Sequence, residues 1–204
     1  MSYQLSNRSL TALPPVEDAI SLECVWNWLT ELPEMPTLET LHCDGNPLSS
    51  LPMYPNLVKL CCNMNQLTNL PLFPKLAALF CIGNRLVSLP EYSKLTNLWC
   101  GKNQLTELPP CPELLNLCCE KNQLTKLPDC PKLKSLSCEN NQLTTLPECP
   151  DLLTLDCRNN QIVSLPYYPK LKMIDLSGNP IAAEMKDPTD VEEYHRLAAV
   201  HLLC

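Results

Sequence analysis

The sequence predicts a solenoid built on one parallel β-sheet, and three observations predict it. One residue pattern recurs every 19 residues along most of the 204-residue chain. Within that pattern apolar and polar residues alternate over a few positions, the period of a short strand. Each copy then closes on Leu-Pro-x-x-Pro, and proline continues neither a helix nor a central ladder. Repeats of this kind stack, because one unit alone cannot bury its apolar side.

The register is set by Leu38, Leu57, Leu76, Leu95, Leu114, Leu133, Leu152 and Leu171, each 19 residues after the last, with Ala19 one turn earlier. Numbered 1 to 19, a repeat reads L-x-x-L-x-C-x-x-N-x-L-x-x-L-P-x-x-P-x. The segment LKSLSCENNQLTTLPECPD (133–151) fits it throughout. Residues 1–18 supply an incomplete first turn, with Leu5, Leu10, Leu13 and Pro14 in register and Arg8 where Asn is expected. Eight full repeats then run from Ala19 to Lys170, and a half repeat, LKMIDLSGNPI, ends at Ile181. No linker interrupts the array, so one domain is expected: a partial N-terminal repeat or cap (1–18), the repeats (19–181) and a C-terminal cap (182–204).

Each recurring residue has a physical task. Leu at position 4 and Cys at position 6 alternate with polar residues and make the strand, and Leu at positions 1, 11 and 14 points into the coil. The Asn at position 9 recurs from Asn27 to Asn179, and a buried amide there is expected to bond the backbone groups a tight turn leaves free. The Leu-Pro-x-x-Pro leg is expected to be extended or polyproline-like. Thr189-Asp190-Val191-Glu192 reads as a capping box behind Pro188. Val191, Tyr194, Leu197, Ala198 and Leu202 then share a helical face that would close the open end of the core.

Fourteen cysteines first suggest a disulfide scaffold, but their placement argues otherwise. Eight occupy position 6 (Cys24 through Cys157), where Leu176 substitutes in the last turn, so the site is apolar and inward. Neighbouring rungs stand ~4.8 Å apart, long for the ~3.8 Å Cβ separation of a disulfide. A column offers a line of ligands, whereas zinc wants four converging on a point. Cys111, Cys130 and Cys149 share position 17 with Met35, Tyr54, Phe73, Tyr92 and Tyr168, another apolar column. The cysteines are therefore read as reduced packing residues of an intracellular protein, with no metal and no cofactor. Cys204 is terminal and carries no information.

The repeat L-x-x-L-x-C-x-x-N-x-L-x-x-L-P resembles the leucine-rich-repeat signature. Its short form with L-P-x-x-P is similar to the type in secreted effectors of enteric bacteria, and comparable arrays occur in large DNA viruses. The resemblance covers about residues 5–181. It implies a curved solenoid with the sheet on the concave face and an extended convex face, used for protein recognition. Effector ligases of that type carry a large separate catalytic domain, and the 23 residues after Ile181 do not provide one.

The composition narrows function. The formal charge is −7, which disfavours a phosphate backbone as partner. No stretch approaches the ~20 apolar residues of a membrane span, and Met1-Ser2-Tyr3-Gln4-Leu5 shows no apolar secretory region. The expected location is cytoplasmic, in the host cytoplasm for a pathogen or virus. Position 5 points away from the core; it reads Glu23, His42, Cys61, Phe80, Trp99, Cys118, Ser137, Asp156 and Asp175. Its centre is apolar and aromatic, and Ala78 and Ile82 extend the patch. Such a patch with a polar rim marks an interaction site, so Phe80, Trp99, Cys61, Cys118, Ile82 and His42 are the candidate partner-binding residues. Trp26 and Trp28 form a second candidate, read first as an improvised N-terminal cap. No catalytic site is expected. Cys61 and Cys118 lie three rungs apart, ~14 Å, too far for one dithiol, and a Cys61–His42 pair lacks an orienting residue and an oxyanion hole. His195 and His201 fall on different helix faces. The position-19 lysines (Lys75, Lys94, Lys132, Lys170) form a solvated edge that Glu113 and Asp151 interrupt. The sequence thus predicts a non-enzymatic scaffold for a protein partner. The alternative is a structural protein that self-assembles, for example as a homodimer, through the same patch.

Overall fold

A computed structural model describes residues 1–16 and 18–201, with the backbone alone for Val200 and His201. The described residues form ten three-residue strands: β1 (Ser2–Gln4), β2 (Ser21–Glu23), β3 (Thr40–His42), β4 (Lys59–Cys61), β5 (Ala78–Phe80), β6 (Asn97–Trp99), β7 (Asn116–Cys118), β8 (Ser135–Ser137), β9 (Thr154–Asp156) and β10 (Met173–Asp175). They form one parallel sheet in chain order. Tyr3 pairs with Leu22, Leu22 with Leu41, Leu79 with Leu98, and Ile174 with Leu155, always one 19-residue period apart. The constant period makes the register: any slip of one residue would turn every inward leucine to solvent. The middle residue of β2 through β10 is buried, while its flanks face outward. Among the described residues the Leu-Pro-x-x-Pro legs contain no helix, as two prolines in five residues dictate; the last turn lacks that leg and runs into a short 3-10 helix, Pro180–Glu184. The fold is a leucine-rich-repeat solenoid.

Residues 1–16 are more regular than an incomplete turn. β1 adds a full rung, and the Leu5 amide continues the ladder by donating to the Glu23 carbonyl at 2.7 Å. Arg8 stands where the amide column would continue, and its Nη2 donates to the Gln4 carbonyl at 2.8 Å. Asn27 reaches back instead, its Oδ1 accepting the amides of Arg8 and Leu10.

The asparagine column joins the rungs. In each of nine turns Nδ2 donates to the position-6 carbonyl of its own turn and to that of the turn before, at 2.8–3.1 Å. Oδ1 accepts the position-11 amide of the preceding turn at 3.0–3.2 Å. Carbonyls that turn away from the sheet, and a leucine amide on the return leg, therefore find partners inside a coil that excludes water. The residue before each of these asparagines, at position 8, adopts a left-handed conformation in every turn from Trp26 to Gly178, and so does Asn7 before Arg8. Gly45, Gly83, Gly178, Asn140 and Asn159 suit it; Trp26, Met64, Lys102 and Lys121 adopt it against their preference.

Position 17 forms a second column on the convex side. Tyr54, Phe73 and Tyr92 stack with centroids 6.2 and 6.4 Å apart. The hydroxyls of Tyr54, Tyr92 and Tyr168 each donate to the carbonyl of a position-15 proline one turn earlier. The helix α1 (Val191–His201) prolongs this column. Tyr194 stacks on Tyr168 at 6.5 Å, and its hydroxyl donates to the Pro166 carbonyl at 2.8 Å while accepting the Tyr168 amide at 3.0 Å. Tyr194 thus occupies the place of the next repeat's tyrosine, and Val191 and Ala198 of the same helix pack against the core. The capping residue is Asp190, not Thr189. Asp190 Oδ1 accepts the amides of Glu192 and Glu193, whereas the Thr189 hydroxyl donates to Asp187. Glu193, not Glu192, closes the entry by accepting the Lys186 and Asp187 amides. The shift follows from Asp being as good a cap as Thr and from the segment 186–187 lying under Glu193. Leu202, Cys204 and the His201 side chain lie outside the described residues.

The position-6 cysteines are buried, and the thirteen described cysteines are all free. Burial pushes the Cys24 thiol up to about 12 and those of Cys43, Cys62, Cys100, Cys119 and Cys138 well above the usual thiol range.

Two predictions follow from this core. Asn103→Ala orphans the Leu86 amide, at ~1–3 kcal/mol for an unsatisfied buried group, and leaves the Cys81 and Cys100 carbonyls with one asparagine donor each, Asn84 and Asn122, where they had two. Melting followed by circular dichroism should drop by several degrees, and an unchanged midpoint would refute the bonding role. The second concerns alkali. A thiol whose folded pKa is raised stabilises the fold fully below its unfolded value of ~8.5 and loses that contribution as pH climbs toward the folded value. Stability should therefore be level from pH 7 to 8 and fall between pH 9 and 10, by up to ~1.4 kcal/mol per thiol per pH unit. A flat profile to pH 10 would contradict a buried thiol column.

Candidate protein-binding face

The outward residues of the strands have no partner in the core, so their placement reports what the face can do. The register sets His42 beside Cys61, Cys61 beside Phe80, Phe80 beside Trp99, and Trp99 beside Cys118. The column expected from the sequence is thus a physical row across the middle of the concave sheet. Phe80 and Trp99 meet edge to face, centroids 5.0 Å apart and planes at 69°, the arrangement ring quadrupoles favour. Trp99 is 42% exposed, and β6 is the one strand among β2 through β9 whose outward residue at position 5 is exposed rather than half-buried. Leu79, Cys81, Leu98 and Cys100 around the pair are buried. Lys59 Nζ stands 5.9 Å from the centre of the Phe80 ring, a cation on the aromatic face. Ile82 is half-buried beside Phe80, and its amide donates to Asn63 Oδ1 at 2.7 Å.

The two outward thiols are half-buried rather than exposed. Burial and then the nearby Asp44 push Cys61 up to about 11; burial and then Glu120 do the same for Cys118. Both are therefore almost wholly protonated near neutral pH, the opposite of what a nucleophile needs. Among the described residues no hydrogen bond joins Cys61 to His42, and His42 Nε2 is buried without a partner.

Trp26 and Trp28 are not a lid. They are 58% and 66% exposed, and Trp26 leans away from the N-terminal end onto Gly45, where a Cβ would collide with the indole. Met64 lies in the same way on Gly83 two turns on. This ridge follows the left-handed position 8, a feature signalled by the recurrence of Gly and Asn before the regularly spaced Asn. Elsewhere, Lys132 pairs with Glu113 and Lys170 with Asp151, one turn apart, so those position-19 lysines are partly neutralised by the acidic residues that interrupt them. The docking of α1 also leaves an apolar cleft of about 680 Å³ lined by Val163, Leu165, Tyr167, Ile181, Met185 and Tyr194. No described helix is long and apolar enough to cross a membrane.

Comparison with known proteins agrees with this architecture. Residues 131–169 match the model for leucine-rich repeats in two copies. The chain is similar to YopM, a leucine-rich effector protein from Yersinia pestis, at 33% identity and a TM-score of 0.77, over 87% of this chain and 60% of that one. It is similar to YopM from Yersinia enterocolitica at 35% identity and a TM-score of 0.67, over 84% of this chain and 45% of that one. A leucine-rich-repeat protein of Leptospira interrogans shares the fold, at 24% identity and a TM-score of 0.57, over 100% of this chain and 71% of that one. The chain spans at most 60% of the length of the YopM chains it matches. No curated protein matches the sequence.

Proposed function

The chain is a leucine-rich-repeat protein resembling bacterial effectors, and from that premise we propose that it is a non-enzymatic scaffold gripping a protein partner through the Phe80–Trp99 patch. Leucine-rich-repeat proteins are generally protein-interaction scaffolds, and that supports the class. The observation that carries the patch is Trp99. A large apolar ring stands exposed on a strand, set edge to face against a second ring, where the core makes no use of it. Large, rigid aromatic surfaces of this kind dominate binding hot spots. Ile82 and the half-buried Cys61, Cys118 and His42 form the surround that would exclude water from such a contact. The thiols pushed up by burial support a binding surface over a catalytic one. The free buried cysteines support a reducing compartment, the cytoplasm of a cell or of a host.

Phe80→Ala with Trp99→Ala tests the proposal. The double variant should melt near the wild-type midpoint, and calorimetry on a purified partner should show binding weakened by at least ~2 kcal/mol. Normal binding would move the site to the Trp26–Trp28 ridge. A mass from light scattering that shows a dimer in the wild type and a monomer in the double variant would replace the scaffold with self-assembly.

A further inference from the structure

We infer that the patch selects a partner segment bearing a basic side chain next to an apolar one, with the cation seated between the Trp99 indole and the Glu120 carboxylate. This rests on the patch being the binding face. It adds the chemistry of the occupant.

The two sides of the aromatic pair differ. Phe80 already carries a cation from its own chain, Lys59. Trp99, the more exposed ring, has none among the described residues, and the ground beside it is kept low. Position 7 follows the outward residue by two, and it holds a side chain in every other turn, Asn63, Ile82, Glu120 and Glu139 among them. After Trp99 it is Gly101. The backbone of Gly101 is not left-handed, so conformation does not demand glycine there; space does. A Cβ would collide with the carboxylate of Glu120, which lies across Gly101 from the next rung.

That carboxylate is poised rather than satisfied. Glu120 Oε2 is buried without a hydrogen-bond partner. One rung further on, Glu139 holds Arg158 at 2.6 Å, and Arg158 also bonds Asp156 at 2.8 Å. Of two successive acidic residues in one column, the first is left open beside the exposed tryptophan and the second is neutralised. A carboxylate oxygen kept from water without a donor is costly, and a donor arriving with the partner removes that cost. The wider field agrees. Positions 3, 5 and 7 from β2 to β10 carry Glu23, Asp44, Glu120, Glu139, Asp156 and Asp175 against Lys59 and Arg158, six acidic residues to two basic. A guanidinium suits the place best, since it stacks on an indole and offers paired N–H donors in its plane to a carboxylate. The apolar neighbour of that arginine would cover Phe80 and Ile82.

An array of immobilised nonapeptides varied at every position, probed with the full chain, tests this. Peptides held by the wild type should be enriched at least ~5-fold in arginine or lysine beside an apolar residue, the scale of one charge-assisted contact. Glu120→Gln should weaken the best arginine peptide by about tenfold, keep the apolar preference, and hold or raise the melting midpoint, because the carboxylate bonds nothing in the free protein and its burial there is a cost. Glu120→Lys should turn the preference toward acidic peptides. Peptides that need Phe80 and Trp99 but show no basic preference, or that ignore Glu120→Gln, would overturn the inference and leave the patch standing. A loss of melting stability in Glu120→Gln would make Glu120 a structural residue and also overturn it. No binding at all, or equal binding by the Phe80→Ala/Trp99→Ala variant, would sink the patch and the inference together.

Discussion

The side-chain amide at position 9 is the interaction on which the rest of this structure depends. A 19-residue turn has three residues of strand and no helix, so most of its backbone lacks the partners that regular structure supplies. Each asparagine replaces them, bonding two carbonyls and one leucine amide drawn from two successive turns. Because every such amide spans a boundary between repeats, the same bonds satisfy the turn and fix its distance from its neighbour. Leucines and cysteines then fill the space the amides define. In a stack where each unit touches only its neighbours, that boundary term decides whether the array holds together.

A consequence is a strict division of labour. Positions 1, 4, 6, 9, 11, 14 and 17 are committed to the interior, and the structure leaves them little choice of side chain. Tyr194 shows how strong the commitment is, since a residue from a helix completes a column that the repeats have run out of. Positions 3, 5 and 7 are released from that duty. The Phe80–Trp99 pair, the gap at Gly101 and the open Glu120 carboxylate all fall in those columns, in adjacent turns.

The period carried most of the fold in plain view. Strand register, inward leucines, the amide ladder and the helix-free return leg all follow from residues spaced 19 apart, and the row from His42 to Cys118 follows from the alternation of a strand. What stayed hidden was set by neighbours rather than by spacing. Asp190 and Thr189 are both good caps, and only the position of Glu193 over residues 186–187 decides between them. Cys61 and Cys118 sit at outward positions, yet they are half-buried, as position 5 is on every rung from β2 to β10 except that of Trp99. The lean of Trp26 onto Gly45 depends on a left-handed turn at position 8, where tryptophan is an unusual occupant. The relation of Glu120 to Gly101 joins different turns through a side-chain conformation that no repeat pattern encodes.

The central claim is that the amides, rather than leucine packing alone, hold the turns in register. Hydrogen exchange of the position-11 leucine amides tests it most directly, because in Leu29, Leu48, Leu67, Leu86, Leu105, Leu124 and Leu143 the amide donates to an asparagine Oδ1 of the next turn. The account predicts that these amides exchange as slowly as the ladder amides of Cys62, Cys81 and Cys100, and that Asn103→Ala releases Leu86 well before Leu48. Exchange of these amides at the rate of exposed loops, or a Leu86 amide still protected in the variant, would contradict it.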